Sequence, residues 1–263
     1  DRLNHASLID GALLSGARLQ RYAHADCSDL ERRLAAAGER PLLIASDGVF
    51  SMDGDIAPVA RLAALARKYD AWLMIDDAHG LGVLGPEGRG STAGLPPDAV
   101  PILMGTLGKA FGTAGAFVAG SRELIDYLVN FARSSIYTTA MPPALAEATL
   151  AALRMARQDA SRRERLNDLI RRFRKGAAEL GLPLMDSPTP IQPLLAGSNE
   201  RALALAVALR EQGIHAVAVR PPTVPEGSAR LRLTFSAAHE PGDVDRLLEA
   251  LETVWRGLPQ ARD

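Results

Sequence analysis

The stretch Ala71-Trp72-Leu73-Met74-Ile75-Asp76-Asp77-Ala78-His79-Gly80 decides the fold. An apolar run of strand length stops there on two carboxylates, a histidine and a glycine. Short apolar runs of this kind, bounded by turn residues and alternating with helical patterns, are the layout of a mostly parallel sheet with helices on both faces. Working outward, Leu42 to Ser46 reads as a strand on one side, and Ile102 to Gly105 and Gly115 to Gly120 read as strands on the other. Between the first two strands, Val59, Leu62, Ala63, Leu65 and Ala66 recur at helical spacing within Pro58 to Tyr69, so a βαβ unit is expected. Ser121, with Glu123 and then Ile125, Leu128 and Val129, reads as an N-capped helix.

From Pro142 the character changes. An Ala-, Leu- and Arg-rich helical segment runs to about Leu180, where Gly181 and Pro183 are stop signals. The domain boundary is placed inside it, giving a large domain over 1–155 and a smaller C-terminal α/β domain over 156–263. In the latter, Gln192 to Ala196, Ala216 to Val219 and Arg230 to Phe235 read as strands, with helices at Asn199 to Gln212 and Gly242 to Trp255. The run Arg162 to Arg174 reads as a solvated helix face.

With 263 residues, 47% hydrophobic and 23% charged, the chain can bury a substantial core. A formal net charge of −1 leaves no global field to draw nucleic acid or an anionic membrane, so neither is expected as a partner. The single cysteine, Cys27, excludes an internal disulfide and multi-cysteine metal sites and fits a reducing, cytoplasmic setting. No apolar stretch approaches the roughly 20 residues of a membrane-spanning helix.

Two glycine patterns mimic nucleotide sites. Gly80, Gly82 and Gly85 satisfy G-x-G-x-x-G, but three residues separate them from the strand and Pro86, Gly88 and Gly90 follow, so no helix is expected to open there. Gly105 to Ala110 carries a Gly-Lys pair without the spacer or the hydroxyl residue of a phosphate-cradling loop.

Asp76 and Asp77 stand where ligands bind in open α/β sheets, outside the carboxyl ends of strands. A buried carboxylate there needs a cationic partner. A protonated pyridine nitrogen is one; a metal ion or a capping role is another, and the six residues Ile75 to Gly80 alone leave the choice open. Lys109 follows a second apolar strand in Thr106-Leu107-Gly108-Lys109-Ala110-Phe111-Gly112, among apolar neighbours. Burial of its amine would depress the pKa and make it a nucleophile toward an aldehyde.

Taken with Asn4-His5-Ala6-Ser7, Gly48 to Asp55, Tyr137 to Pro143, Pro222 to Pro225 and Arg230 to His239, these stretches resemble the α-oxoamine synthases, fold-type I enzymes that use pyridoxal 5'-phosphate. The resemblance spans nearly the whole chain, with several motifs in the family's order. It implies a decarboxylating condensation of a small amino acid with an acyl-CoA or acyl-carrier-protein thioester, in a homodimer with shared active sites. Lys109 would link covalently to the cofactor and act as base. Asp76 would hold the pyridinium nitrogen, and His5 would stack on the ring. Ser51 and His79 would approach the phenolic oxygen, and Thr106 the phosphate. Thr138 and Thr139 would reach the neighbouring subunit's phosphate. Arg232 would grip the substrate carboxylate, with Thr223 near the same pocket. Arg230 lies two residues from Arg232 and on a strand would point the same way. The chain opens at the family's Asn-His-Ala-Ser motif, so a longer parent carrying a glycine-rich turn for the phosphate is expected.

Overall fold

In the computed structural model, which describes residues 1–38 and 40–257, the chain divides into two compact units. One comprises Asp1–Phe50 and Ala57–Ala160; the other comprises Ser51–Ile56 and the chain from Ser161 onward. Residues 155 and 156 lie inside a helix, and the division falls after Ala160.

The first unit starts with α1 (Ala6–Leu14) and α2 (Cys27–Ala35), the latter N-capped by Asp26, whose carboxylate accepts from the Ser28 and Asp29 N–H groups. The strands β1 (Leu42–Asp47), β2 (Ala71–Asp76), β3 (Ile102–Thr106) and β4 (Ala116–Gly120) form one sheet in that spatial order. The first three are parallel and β4 is antiparallel to β3. The helix α3 (Val59–Lys68) joins β1 to β2 and packs on β2. Its Val59, Leu62, Ala63 and Ala66 are buried with Ile44, Phe50, Leu73 and Ile75, so the spacing that argued for a helix is the face that enters the core. Each fully buried Leu or Ile of that set contributes about 1.5–3 kcal/mol relative to an exposed one.

Beyond β4 come α4 (Arg122–Phe131), α5 (Arg133–Ile136) and α6 (Pro143–Gln158). Ser121 caps α4, its hydroxyl accepting from Leu124 N–H at 3.3 Å. The continuous helix expected from Pro142 to Leu180 is in fact two, because Asp159 takes an extended conformation (φ −101°, ψ 91°) between α6 and α7 (Ser161–Glu179).

The second unit holds α7 and an antiparallel sheet in the order β5 (Ile191–Gly197), β7 (Ala229–Thr234), β6 (Val217–Val219), with α8 (Asn199–Glu211) and α9 (Pro241–Gly257). Phe173, Leu194, Leu205, Leu209, Leu231 and Leu251 are among its fully buried side chains. Arg162, Arg165, Arg171 and Arg172 of α7 are exposed, Arg172 pairing with Asp245 at 2.6 Å, but the run is not solvated throughout: Arg174 is half-buried and donates to the Met185 and Ser187 carbonyls and to Gln192 Oε1. Among the described residues no helix is long and apolar enough to cross a membrane.

Candidate active site

Because β1, β2 and β3 run parallel, their carboxyl ends share one edge. Asp47 stands beside Asp76 in the register of β1 and β2, and Asp76 stands beside Met104 of β3. Both aspartates are buried. Asp76 Oδ1 accepts the Ala78 N–H at 3.1 Å; its other oxygen has no donor among the described residues. Asp47 Oδ1 accepts the His5 N–H at 3.1 Å, its own N–H donates to Asn4 Oδ1 at 3.2 Å, and Asn4 Nδ2 donates to the Ala45 carbonyl at 2.9 Å. These bonds tie the loop carrying His5 to the end of β1. His5 is exposed and N-caps α1, with Nδ1 accepting from Ser7 N–H at 3.3 Å. Burial, helped by the Asp76 charge and opposed by the His5 N–H, pushes the Asp47 carboxyl up to about 7.

Asp77 is spent on the protein itself. Its Oδ2 accepts the Ser91 N–H at 2.8 Å while Oδ1 is buried without a hydrogen-bond partner among the described residues, and burial pushes its carboxyl up to about 6 against the pull of Ser91. Three glycines leave room for nothing larger around it. A Cβ on Gly48 would lie 2.6 Å from Oδ1, one on Gly80 2.1 Å from Oδ1, and one on Gly90 1.8 Å from Oδ2. The glycine-rich segment after β2 is therefore a packed loop around a carboxylate, with a short 3-10 turn at Pro86–Gly88 where a dinucleotide fingerprint would open a helix.

The loop places His79 so that its Nε2 is 2.9 Å from Lys109 Nζ. Lys109 sits in a tight turn after β3, closed by Leu107 N–H to the Gly115 carbonyl (2.9 Å) and Gly112 N–H to the Lys109 carbonyl (3.0 Å). The burial expected for it is not observed. Lys109 is exposed, only Gly105 of β3 is buried, and β4 is exposed along its whole length in this chain. What sets the amine apart here is its proximity to His79 and its electrostatic reach to Asp47. Thr106 ends β3 beside it, its hydroxyl donating to the Gly115 carbonyl at 3.1 Å.

His5, Asp76, His79, Thr106 and Lys109 thus gather at one sheet edge, with Asp47 as a member that the sequence reading passed over. The signal was available: Asp47 ends β1 as Asp76 ends β2. Thr138 and Thr139 are exposed after α5, and Thr138 Oγ1 donates to the Ser134 carbonyl at 2.5 Å; among the described residues no hydrogen bond ties either threonine to the edge.

In the second unit, Arg232 donates from Nε to the Ser51 carbonyl at 2.6 Å and has no carboxylate partner among the described residues. Burial lowers its pKa, the signature of a desolvated cation without a counter-ion. Arg230 is buried and paired with Asp53 at 2.5 Å. Thr223 is exposed in the turn before Val224, its N–H donating to the Arg220 carbonyl at 3.0 Å.

The edge of the first unit fits a pyridinium cofactor. Two neighbouring buried carboxylates, one with an oxygen lacking a donor, ask for a cation with an N–H, and a lysine amine stands by a histidine on the same edge.

Residues 1–251 match the family described as aminotransferase class I and II. The chain is 59% identical to the 8-amino-7-oxononanoate synthase of Stutzerimonas stutzeri, covering 100% of this chain and 67% of that protein. It is 60% identical to the protein of that name from Thioalkalivibrio sulfidiphilus, covering 98% and 66%. Among solved structures it is similar to the serine palmitoyltransferase of Sphingomonas wittichii, with TM-score 0.93, 30% identity and coverage of 97% of this chain and 65% of that one. It is also similar to the 8-amino-7-oxononanoate synthase of Francisella tularensis, with TM-score 0.85, 32% identity and coverage of 98% and 74%. The chain spans about two thirds of the length of the curated relatives it matches.

Proposed function

The chain belongs to the aminotransferase class I and II family, and from that premise we propose that it acts, within its full-length protein, as a pyridoxal-phosphate-dependent α-oxoamine synthase. The reaction is the joining of L-alanine to pimeloyl-CoA or pimeloyl carrier protein, giving 8-amino-7-oxononanoate, carbon dioxide and the free thiol, a step of biotin synthesis. The observation that carries this reading is the identity of about 60% to proteins of that name across essentially the whole chain.

Bound pyridoxal phosphate supplies an aldehyde that condenses with amines and a ring that accepts the negative charge left at the α-carbon. The chain's residues supply the rest. Asp76 would hold the ring nitrogen in its protonated form, and His5 would cover the ring. Lys109 would hold the cofactor through its amine and would serve as the base that takes the α-proton on Nζ. His79, with Nε2 2.9 Å from Lys109 Nζ, would share that proton and, with Ser51, would approach the phenolic oxygen. Thr106 would bind the phosphate. Arg232 holds the substrate carboxylate through its planar fork, a job a lysine point charge does less well, and Thr223 lines the same pocket. The reading extends to a cytoplasmic homodimer in which Thr138 and Thr139 meet the neighbouring subunit's phosphate.

The test is thiol release by the full-length protein loaded with pyridoxal phosphate. Free CoA is expected only when L-alanine and pimeloyl-CoA are both present, with one carbon dioxide per CoA. Faster release with glycine and acetyl-CoA would replace the substrate assignment, since the two amino acids differ by a methyl worth only about 1–3 kcal/mol in a pocket. Ketoacid formation without any thioester would make the protein an aminotransferase and overturn the proposal.

A further inference from the structure

Arg230 and Arg232 share one face of β7, yet only Arg230 is consumed within the protein. Its Nη1 donates to Asp53 Oδ1 at 2.5 Å and lies 2.9 Å from Met185 Sδ, while Nε donates to the Ser228 carbonyl at 3.0 Å. Asp53 belongs to Ser51–Ile56, which packs with β5 to β7 although Phe50 before it and Ala57 after it belong to the other unit. The same short segment is held at two further points. The hydroxyls of Ser187 and Thr189 each donate to the Gly54 carbonyl at 2.8 Å, and the Ser51 carbonyl accepts from Arg232 Nε at 2.6 Å. Gly54 has φ +73°, and a Cβ there would lie 2.4 Å from both the Ile191 carbonyl and Ser187 Oγ, so the backbone at this clamp has one admissible path.

A guanidinium offers a side-on edge, which uses Nε, and an end-on edge, which uses the two Nη groups. With Nε bonded to Ser51, Arg232 keeps the end-on edge for a carboxylate. We propose that the Asp53–Arg230 ion pair is the positioning device for Arg232: it clamps Ser51–Ile56 against β7 so that the Ser51 carbonyl fixes the Arg232 guanidinium with its two Nη groups presented to the substrate carboxylate. The inference rests on the reading of Arg232 as the residue that binds that carboxylate. Buried ion pairs add little net stability over an apolar substitute but leave a costly orphan charge when one partner is removed, so the pair is suited to fixing geometry.

The experiment compares wild type, Asp53→Asn and Asp53→Glu in the full-length protein, with three readouts: hydrogen exchange across residues 51–56, labelling of Arg232 by phenylglyoxal read by peptide mass, and steady-state kinetics for both substrates. In Asp53→Asn, exchange at 51–56 is expected to rise about tenfold or more, as a local opening of the clamp. Arg232 labelling should change, and the amino-acid KM should rise about tenfold while the thioester KM stays within about twofold. Asp53→Glu should recover most of each. Unchanged exchange, or raised exchange without any change in Arg232 labelling or amino-acid KM, overturns the proposal. So does a joint fall of every kinetic parameter that Asp53→Glu does not restore. If wild type shows no thioester-dependent turnover, the functional reading fails by itself, and exchange with Arg232 labelling still decides the clamp.

Discussion

The end of β2 and the face of β7 each present two like charges close together, and in each the protein spends one and leaves the other. Asp77 is enclosed by Gly48, Gly80, Gly90 and Ser91, its Oδ1 sealed against glycines without a hydrogen-bond partner, whereas Asp76 beside it accepts from Ala78 N–H and, among the described residues, has no glycine packed against it. Arg230 is locked to Asp53, whereas Arg232 has no carboxylate. The enclosed or paired member is tied to a backbone segment, and the other is the one proposed to meet cofactor or substrate. A pair of like charges at a strand end is therefore sorted by which one the protein encloses or pairs, a property invisible to spacing.

The sharpest way to break this comparison is to neutralise each aspartate in turn. Asp76→Asn is expected to lower kcat by about a thousandfold or more, roughly 4 kcal/mol, with cofactor absorbance altered and folding kept. Asp77→Asn, measured by the same kinetics alongside thermal melting, should cost less than about tenfold in kcat and appear mainly as lost stability. Equal losses in kcat would erase the distinction. Next in size, Gly90→Ala forces a Cβ to within 1.8 Å of Asp77 Oδ2 at φ +88° and should destabilise by about 3 kcal/mol or more, read by urea unfolding. A neutral outcome would mean that Asp77 is not packed as described.

On β7, Arg232→Lys should raise the amino-acid KM by about 10- to 100-fold, roughly 1.4–2.7 kcal/mol, because an ammonium cannot present a bidentate fork. A shift confined to the thioester KM would move Arg232 out of the carboxylate role. The smallest effect is on pH dependence. Asp47 and Asp77 have folded pKa values raised to about 7 and about 6 from 3.8, so between those limits the folded state binds more protons than the unfolded one. Stability of the cofactor-free protein should fall as pH rises from about 4 to about 7, by up to about 1.4 kcal/mol per pH unit for each group. Asp47→Asn should flatten the upper part of that decline; a stability that rises over this window would show that the carboxylates are not desolvated.

Much of the fold is legible because strand-length apolar runs and helical spacing coincide with what is buried: Leu73 and Ile75 of β2, and Val59, Leu62 and Ala66 of α3. The break at Asp159 is not, since good helix formers lie on both sides of it and only Asp159 and Ala160 are non-helical. The sheet-edge residues His5, Asp76, His79, Thr106 and Lys109 are legible through strand ends and motif order. Apolar sequence around Lys109 argues for burial, and in this chain, which spans about two thirds of the length of its relatives, the turn and β4 are exposed. Asp53 could not be read at all, because its partner Arg230 is 177 residues away in sequence.

The most direct measurement is covalent capture of the cofactor by the full-length protein. The chain has three lysines, and Lys68 and Lys175 lie near carboxylates Glu31 and Glu179 on exposed surfaces, leaving Lys109 as the one at the strand edge. After incubation with pyridoxal phosphate and borohydride, peptide mass is expected to show one pyridoxyl group on Lys109, and none in Lys109→Ala. Absence of that adduct in wild type, or its appearance on Lys68 or Lys175 instead, would contradict the assignment of Lys109, Asp76 and His79 to a cofactor site.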